Sequence, residues 1–387
     1  MIGAGFMGAA HSQGWRVAPR FFELSATPEM ALLVGRDQEK TDSAAEKWGW
    51  AETSIDWREA IARDDIDIVD IVTPGDSHAE IAIAALEAGK HVLCEKPLAN
   101  TPEEARAMAD AAARAAARGV YAMVGFTYRR VPAATLARDL VAAGRIGQVR
   151  QVRAAYLQDW LADENGPLTW RLQKDRAGSG ALGDIGAHAI DLAQYVTGTD
   201  IASVSGTLET IVAERPLPVA DGAAHGLSAA ASAERGVVTV DDLALFTARF
   251  GAGPHGSGFL GSFEASRFST GRKNALRIEV SGSTGAISFD LENLNELQIF
   301  DATAPAEEQG FTRVLVTEPV HPYIAAWWPA GHMLGYEHGF SHQARDFVEA
   351  VAAGVQPTPS FADGLKVQQV LAAVEASAGA DSAWRAV

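Results

Sequence analysis

A lysine between a glutamate and a proline, in the run Glu95-Lys96-Pro97, follows a short apolar segment typical of a strand. A helix start comes next: Thr101 at the N-cap and Glu104 three residues later form a capping box. Lys96 is therefore expected at the carboxyl end of a buried strand, where open α/β sheets bind ligands. An ammonium group there can stabilise negative charge that develops on a substrate oxygen. The alternative is a solvated surface ion pair.

A second stretch, residues 180–192, predicts a helix on which Asp184, His188 and Asp191 share one face. A carboxylate beside an imidazole can act as an acid–base pair near neutral pH. Gly183 and Gly186 weaken such a helix, so close approach of a ligand or of another backbone is expected there. The alternative is a histidine that is satisfied by its own helix neighbour.

Near the start of the chain, Gly3, Gly5 and Gly8 match the G-x-G-x-x-G pattern. Its glycines allow a tight turn, close approach of a pyrophosphate and close packing of helix on strand, so a dinucleotide site is predicted. Only Met1 and Ile2 precede the pattern, whereas strands run to about 5–6 residues. We therefore expect several native residues before Met1.

The end of the second strand bears on the choice of cofactor. An acidic residue there would bond the ribose 2′-hydroxyl of NAD, whereas arginine favours the 2′-phosphate of NADP. The chain has Gly35-Arg36-Asp37, so Arg36 occupies the position and Asp37 follows it. This mixed signal slightly favours NADP, and the alternative is that Arg36 stacks on the adenine of either cofactor.

Composition narrows the class of protein. A chain of 387 residues suits roughly two domains. Its formal net charge of −17 argues against a nucleic-acid partner, and no apolar run approaches the ~20 residues of a membrane span. The single cysteine, Cys94, suits the reducing cytoplasm and is better explained as a buried thiol than as a nucleophile.

Two domains follow from the order of the elements. Residues 1–126 alternate strand and helix signals, which predicts an α/β Rossmann domain with a parallel sheet. Residues 127–387 have a different pattern, in which a helix at 132–143 and a long strand at 148–159 precede antiparallel hairpins from Asp242. Residues 216–235 predict an irregular insertion, and residues 361–378 a final helix.

The motifs together resemble one family. The glycine motif with His11, Thr73-Pro74 with His78, Glu95-Lys96-Pro97 and residues 180–191 occur in the order found in the glucose–fructose oxidoreductase/inositol dehydrogenase/rhizopine catabolism (Gfo/Idh/MocA) family. The likeness extends over nearly the whole chain. The stretches 158–160 and 169–171 are similar to a branch of this family that acts on sugars.

The resemblance implies a Rossmann domain, a second α+β domain on a mostly antiparallel open sheet, and a homodimer or homotetramer. It implies hydride transfer between NAD or NADP and a hydroxyl or ketone of a cyclic sugar, anhydrosugar or inositol. The implied catalytic residues are Lys96, Asp184 and His188; either Lys96 or His188 would take the proton. The implied cofactor contacts are Gly3, Gly5, Phe6, Met7, Gly8, Arg36, Thr73, Pro74, His78 and Glu95.

Candidate substrate contacts combine aromatic faces with hydrogen-bond donors, which suits a sugar. They are Tyr128, Arg129, Gln158, Trp160, Trp170, Arg171 and Tyr336. Core aromatics and surface ion pairs are the competing explanation for each. A rival cluster, His332, Glu337, His338 and His342, lacks the H-E-x-x-H spacing, so we expect no metal site.

Two other functions are compatible with the same residues. One is an NAD-dependent glycosidase, which oxidises its substrate transiently and returns the hydride. The other is a non-enzymatic regulator that senses the cofactor, which the presence of both Lys96 and His188 disfavours.

Overall fold

The computed structural model describes residues 1–218, 231–254 and 256–387. Two compact units form: unit 1 comprises residues 1–131 and 317–368, and unit 2 comprises residues 132–316 and 369–387. Unit 1 thus includes a late segment that the sequence assigns to the second domain. In the described part of the chain, no helix has the length and apolar character needed to cross a membrane.

The helices and strands are numbered here in chain order. The described helices are α1 (Phe6–Phe21), α2 (Gln38–Trp48), α3 (Trp57–Ala62), α4 (His78–Glu87), α5 (Pro102–Ala116), α6 (Pro132–Ala142), α7 (Lys174–Ala177), α8 (Ala187–Thr197), α9 (His338–Ala352) and α10 (Phe361–Ala378). The first eight described strands are β1 (Leu32–Val34), β2 (Glu52–Ser54), β3 (Ile68–Ile71), β4 (His91–Cys94), β5 (Ala122–Val124), β6 (Val149–Leu157), β7 (Ile201–Glu209) and β8 (Glu214–Pro218). The others are β9 (Ala231–Val237), β10 (Leu243–Phe250), β11 (Leu260–Ser266), β12 (Ala275–Gly282), β13 (Gly285–Asp290), β14 (Glu296–Asp301), β15 (Phe311–Leu315) and β16 (Arg385–Ala386).

Unit 1 contains the parallel sheet that the alternating pattern predicts. β1 pairs with β2, and β4 lies between β3 and β5, all in parallel. Ile2 forms single parallel bridges to Val34 and to Ile71, so it links β1 to β3 immediately before the glycine loop. The predicted Rossmann architecture is confirmed, and the carboxyl ends of its strands carry the loops discussed below.

Helix α9 belongs to the core of unit 1, where it packs against α1. Trp15 of α1 and Phe347 of α9 meet edge to face, with ring centroids 6.5 Å apart. The two helices approach closely at Gly14, where a Cβ would lie 2.8 Å from the Phe340 carbonyl oxygen. The glycine inside α1 is therefore a packing requirement.

Unit 2 is built on a sheet of nine described strands in the order β15-β14-β13-β12-β6-β11-β10-β7-β16. The pairing of β6 with β11 is parallel, and the other described pairings are antiparallel. Helix α8 packs on this sheet and on α6. The mostly antiparallel open sheet expected for the second domain is confirmed.

The expected irregular insertion at residues 216–235 needs correction at its two ends. β8 and β9 pair as antiparallel strands, with Glu214 opposite Val237. Residues 219–230, where the alanine, glycine and serine content suggested irregular structure, lie outside the described residues. The flanking alternation was too short to outweigh that composition.

Gly14→Ala is expected to destabilise the protein by about 1–3 kcal/mol, because the added methyl overpacks the contact between α1 and α9. Helix propensity alone predicts the opposite sign, a gain of up to ~1 kcal/mol. Urea unfolding of both proteins measures the difference. Gly310→Ala is the matched control, because nothing lies within 4 Å of its Cβ position. A Gly14→Ala variant as stable as the wild type would contradict the packing argument.

Candidate functional site

The glycine loop of unit 1 fits a dinucleotide. Gly3 has a φ of 118° and a Cβ there would lie 2.9 Å from the Val72 carbonyl oxygen, so only glycine is accommodated. A Cβ on Gly8 would lie 2.6 Å from the Gly3 carbonyl oxygen, which closes the turn. Gly5 is the N-cap of α1, makes no side-chain cap and has open space at its Cβ position. The first N–H groups of α1 are thus presented as an anion site.

After the end of β1, Arg36 and Asp37 have different environments. Asp37 is the N-cap of α2, and its carboxylate accepts a hydrogen bond of 3.0 Å from the Lys40 backbone N–H. Arg36 is exposed and makes no ion pair within the described residues. The guanidinium is available to a ligand, whereas part of the Asp37 carboxylate is engaged by the helix.

Two loops at the carboxyl ends of β3 and β4 are joined by His78. The ring is 1% exposed, with Nε2 lying 2.8 Å from the Thr73 carbonyl oxygen and Nδ1 lying 3.0 Å from that of Pro97. The ring therefore holds Thr73-Pro74 beside Glu95-Lys96-Pro97. The capping box that ends this second loop is confirmed, with Thr101 accepting from the Glu104 backbone N–H. His78 thus links the two loops through its ring nitrogens. Direct contact of His78 with a cofactor stays a prediction.

A buried ion cluster, formed by His11, Asp70 and Glu95, lies next to the same loops. Nδ1 of His11, on α1, lies 2.9 Å from Asp70 Oδ2, and Nε2 lies 3.0 Å from Glu95 Oε1. Trp15 Nε1 also donates to Asp70 Oδ2, at 2.6 Å. Burial alone lowers the pKa of His11, but Asp70 and Glu95 together raise it to about 10. Asp70 was not expected from the sequence, and the signal for it was a charged residue inside the apolar strand β3.

Aromatic rings extend from this cluster within unit 1. The Phe340 ring lies 5.3 Å from the His11 ring, and Tyr336 lies 5.2 Å from Phe340. Tyr336 in turn meets Tyr128 edge to face at 6.4 Å. Tyr128 and the partly exposed Arg129 share the 3-10 turn after β5. The structure therefore brings together two substrate candidates of unit 1, Tyr128 and Tyr336, and Arg129 follows Tyr128 on its turn.

In unit 2, Asp184 and His188 lie on a continuous helical segment. Residues 182–186 form a π-helical turn that leads directly into α8. Between residues 181 and 194, Asp184 and His188 are partly exposed and the remaining residues are buried. Asp184 and His188 therefore share an exposed face. Asp191, expected on the same face, is only 2% exposed, because α8 packs there on its neighbours. Single π turns in α-helices occur frequently at functional sites.

A buried arginine lies against Asp184. The Arg267 side chain is 0% exposed, and Nη1 lies 3.5 Å from Asp184 Oδ2. Arg267 also donates to the Asp241 carbonyl oxygen at 3.0 Å. The Asp241 carboxylate accepts the backbone N–H groups of Gly180 and Leu182, at 2.8 and 2.7 Å, and so caps the π-helical turn. Burial raises the pKa of Asp241. Neither Arg267 nor Asp241 has a local sequence signal for this role.

A chain of polar groups runs beside His188. Tyr156 meets the His188 ring edge to face at 5.8 Å. The Tyr156 hydroxyl and the Gln158 amide both donate to Asn274 Oδ1, at 2.7 and 2.8 Å. Trp160 Nε1 donates to Gln158 Oε1 at 2.8 Å. The sequence predicts Gln158 and Trp160 as substrate contacts, which stays a prediction, whereas Asn274, 116 residues from Gln158, has no local sequence signal.

The other two substrate candidates of unit 2 contact each other. Trp170 and Arg171 lie on one 3-10 turn, with the guanidinium carbon 4.4 Å from the centre of the indole ring. Both side chains are partly exposed. Stacking of this kind orients a guanidinium for hydrogen bonding at its edge.

His338 and His342, from the rival metal cluster, form hydrogen bonds within unit 1. Trp327 Nε1 lies 2.7 Å from His342 Nε2, and His342 Nδ1 lies 2.9 Å from the Arg130 carbonyl oxygen. Burial lowers the pKa of His342 to about 3, so the ring is neutral. His338 accepts a hydrogen bond from the Gly335 backbone N–H. Within the described ranges, no group of three metal-ligating side chains converges.

The His11 cluster makes stability depend on pH. Its neighbouring titratable groups are Asp70, Glu95, Cys94, Tyr336 and the Met1 amino group. Because the pKa of His11 rises from 6.5 to about 10 on folding, its stabilisation is complete below pH 6.5 and is lost as the pH rises through 10. Between pH 8 and 9 this group should lower the free energy of unfolding by about 1.4 kcal/mol per pH unit. Urea titrations of wild type and His11→Gln measure this slope, and parallel curves would contradict the ionised ring.

Comparisons with known proteins agree with this geometry. The chain matches the model of the oxidoreductase family with an NAD-binding Rossmann fold over residues 1–126, and that of the GFO/IDH/MocA C-terminal domain over residues 135–288. It is 42% identical to levoglucosan dehydrogenase of Pseudarthrobacter phenanthrenivorans over 99% of this chain and 96% of that protein. A crystal structure of an oxidoreductase domain protein from Kribbella flavida is 62% identical, with a TM-score of 0.93 over 100% of this chain and 97% of that one. A levoglucosan dehydrogenase structure in complex with NADH and levoglucosan is 42% identical, with a TM-score of 0.91 over 100% and 98% of the two chains. The chain belongs to the Gfo/Idh/MocA family of oxidoreductases.

Proposed function

We propose that this protein is an NAD-dependent dehydrogenase that oxidises a hydroxyl of an anhydrosugar of the levoglucosan type. Similarity over the whole chain to levoglucosan dehydrogenase supports this substrate class. The observation that carries the proposal is the chain of phenol, amide and indole groups beside His188, formed by Tyr156, Gln158, Trp160 and Asn274. Alternating hydrogen-bonding groups and an aromatic face suit a compact ring with several hydroxyls.

The residue types suit oxidation of a secondary alcohol. The bound nicotinamide would accept the hydride. His188 would take the hydroxyl proton, and the Lys96 ammonium would stabilise the developing negative charge on oxygen. Asp184, held by Arg267, would orient the substrate. In the alternative assignment Lys96 takes the proton. Both assignments make Lys96, Asp184 and His188 the catalytic residues.

For the cofactor, we propose NAD, since the family model is NAD-binding and the levoglucosan dehydrogenase structure holds NADH. The contacts would be made by the glycine loop and by the residues after β1, β3 and β4. They are Gly3, Gly5, Phe6, Met7, Gly8, Arg36, Thr73, Pro74, His78 and Glu95. The exposed guanidinium of Arg36 makes NADP the alternative.

Arg36→Ala tests whether the Arg36 guanidinium binds the 2′-phosphate of NADP or stacks on the adenine of either cofactor. If the guanidinium binds the 2′-phosphate, the variant should lose about 10-fold in kcat/KM with NADP and keep its value with NAD. Equal effects on both would indicate stacking on adenine. Initial rates with each cofactor supply the comparison.

A screen at the reduced-nicotinamide absorbance band tests the proposed function. It crosses NAD and NADP with levoglucosan, other anhydrosugars, free sugars and inositols. Reduction of NAD with anhydrosugars, faster than with free sugars, is the expected result. Aglycone release from glycosides without net NADH would instead identify a glycosidase. Tight cofactor binding with no turnover would identify a regulator.

Lys96→Ala should reduce turnover by at least ~100-fold, the low end for a positioned acid–base group. Cofactor affinity should be largely kept, which quenching or enhancement of NADH fluorescence reports. Lys47→Ala, at an exposed position on α2, is the matched control for loss of a lysine charge. Turnover of Lys96→Ala near the control value would refute the assignment.

We also propose that the protein acts in the cytoplasm as a homodimer or homotetramer. Exposed leucines on the large sheet of unit 2, Leu245 on β10 and Leu260 on β11, support a covered sheet face. Light scattering coupled to gel filtration gives the mass.

A further inference from the structure

The buried histidine of the ion cluster in unit 1, His11, has no role in the hydride transfer proposed above. His11, Asp70 and Glu95 have side chains that are 1%, 4% and 6% exposed. Both ring nitrogens of His11 lie within 3.0 Å of a carboxylate oxygen. Ionised carboxylates only accept hydrogen bonds, so both nitrogens donate and the ring is an imidazolium. The cluster is thus a cation held between two anions, one on β3 and one in the loop immediately after β4.

The Glu95 carboxylate is restrained from three sides. Oε1 accepts from the His11 ring, and Oε2 lies 3.2 Å from the Lys96 backbone nitrogen. On another side is Gly125, where a Cβ would lie 2.6 Å from Glu95 Oε1. The Gly125 backbone N–H donates to the Cys94 carbonyl oxygen at 2.7 Å, which fixes that side. A shift of the carboxylate would therefore break or pull on its hydrogen bond to the backbone that carries Lys96.

We propose that His11 is a positioning residue: held by Asp70, it fixes the Glu95 carboxylate and thereby the loop from which Lys96 projects. The same helix begins at the glycine loop, so one rigid element aligns the dinucleotide site with the Lys96 loop. The activity measurements that test this inference rest on the proposed dehydrogenase function. The geometry of the cluster does not depend on that function.

Removal of the imidazolium affects the two carboxylates differently. Asp70 keeps the Trp15 indole N–H at 2.6 Å. Glu95 keeps the Lys96 backbone N–H, its longer hydrogen bond. A buried carboxylate without its cation must take up a proton or move, because burial penalises the unpaired charge. The Lys96 loop is therefore the part of unit 1 that should respond.

Two substitutions at one position separate the two carboxylates. The amide of an asparagine can occupy the place of Nδ1, which faces Asp70, and the amide of a glutamine that of Nε2, which faces Glu95. If His11 acts through Glu95, His11→Gln, which keeps an N–H donor to Glu95 but loses the charge, should retain most of the activity. His11→Asn should lose on the order of 100-fold in kcat/KM, the effect of a displaced catalytic group. A purely structural histidine would give both variants the same activity after correction for folded fraction.

The experiment measures kcat, KM, NADH binding by fluorescence and thermal unfolding for both variants. His342→Gln is the matched control, a fully buried histidine of unit 1 that contacts Arg130 and Trp327. Gly125→Ala, with Gly310→Ala as its control, places a methyl 2.6 Å from Glu95 Oε1 and so displaces this carboxylate while keeping the His11 side chain. It should reproduce the His11→Asn defect, and the two changes combined should cost less than the sum.

The outcomes are distinguishable. A wild type that oxidises no sugar refutes the proposed function, and NADH binding then still compares the His11 variants, since Glu95 is also a proposed cofactor contact. Weaker NADH binding and lower kcat in His11→Asn than in His11→Gln, at similar melting temperatures, support the proposal. Equal activity and equal NADH affinity in the two variants, or additive effects of His11→Asn and Gly125→Ala, would overturn it.

Discussion

Neutralisation of buried charge is the constraint on which unit 1 depends. Transfer of each ion out of water costs several kcal/mol, so the imidazolium of His11 is tolerated only where its partners meet it with good geometry. Those partners come from β3 and from the end of β4, and the ring comes from α1. The relative placement of the three elements is thereby specified more narrowly than apolar packing alone would specify it. The loops proposed to hold the cofactor begin at these same elements.

Buried cations also hold the irregular backbone of unit 2. There the cations are arginines. Arg215 and Arg267 are both fully buried. Arg215 donates to the carbonyl oxygens of Leu161 and Asp163, each at 2.7 Å. Segments outside helices and strands leave carbonyl groups without partners, and a guanidinium offers five donors to satisfy them. The segment that follows Trp160 is thus held by buried arginine where no strand or helix is present.

Local signals explain which parts of this structure the sequence could predict. The Thr101 capping box, the glycine loop and helix α10 each depend on neighbouring residues, and they occur where expected. The partners of His11 lie 59 and 84 residues away, and Asn274 lies 116 residues from Gln158. Such contacts come from strand order and register, which periodicity does not reveal. The packing of α9 on α1 has no local sequence signal for the same reason.

In the polar chain beside His188, the roles of donor and acceptor are fixed by one shared acceptor, Asn274 Oδ1. Two donors, the Tyr156 hydroxyl and the Gln158 amide nitrogen, converge on Asn274 Oδ1. A flipped Asn274 amide would place its own N–H groups against the Gln158 donor, so the orientation is determined by the network. Gln158 is fixed in turn, because its oxygen accepts from Trp160. The donors of the Asn274 amide therefore point away from the chain, and a ligand at this surface of unit 2 would meet a preset pattern of donors and acceptors. Such preorganisation lets a site distinguish hydroxyl positions on otherwise similar rings, because a misplaced hydroxyl leaves a buried polar group unpaired.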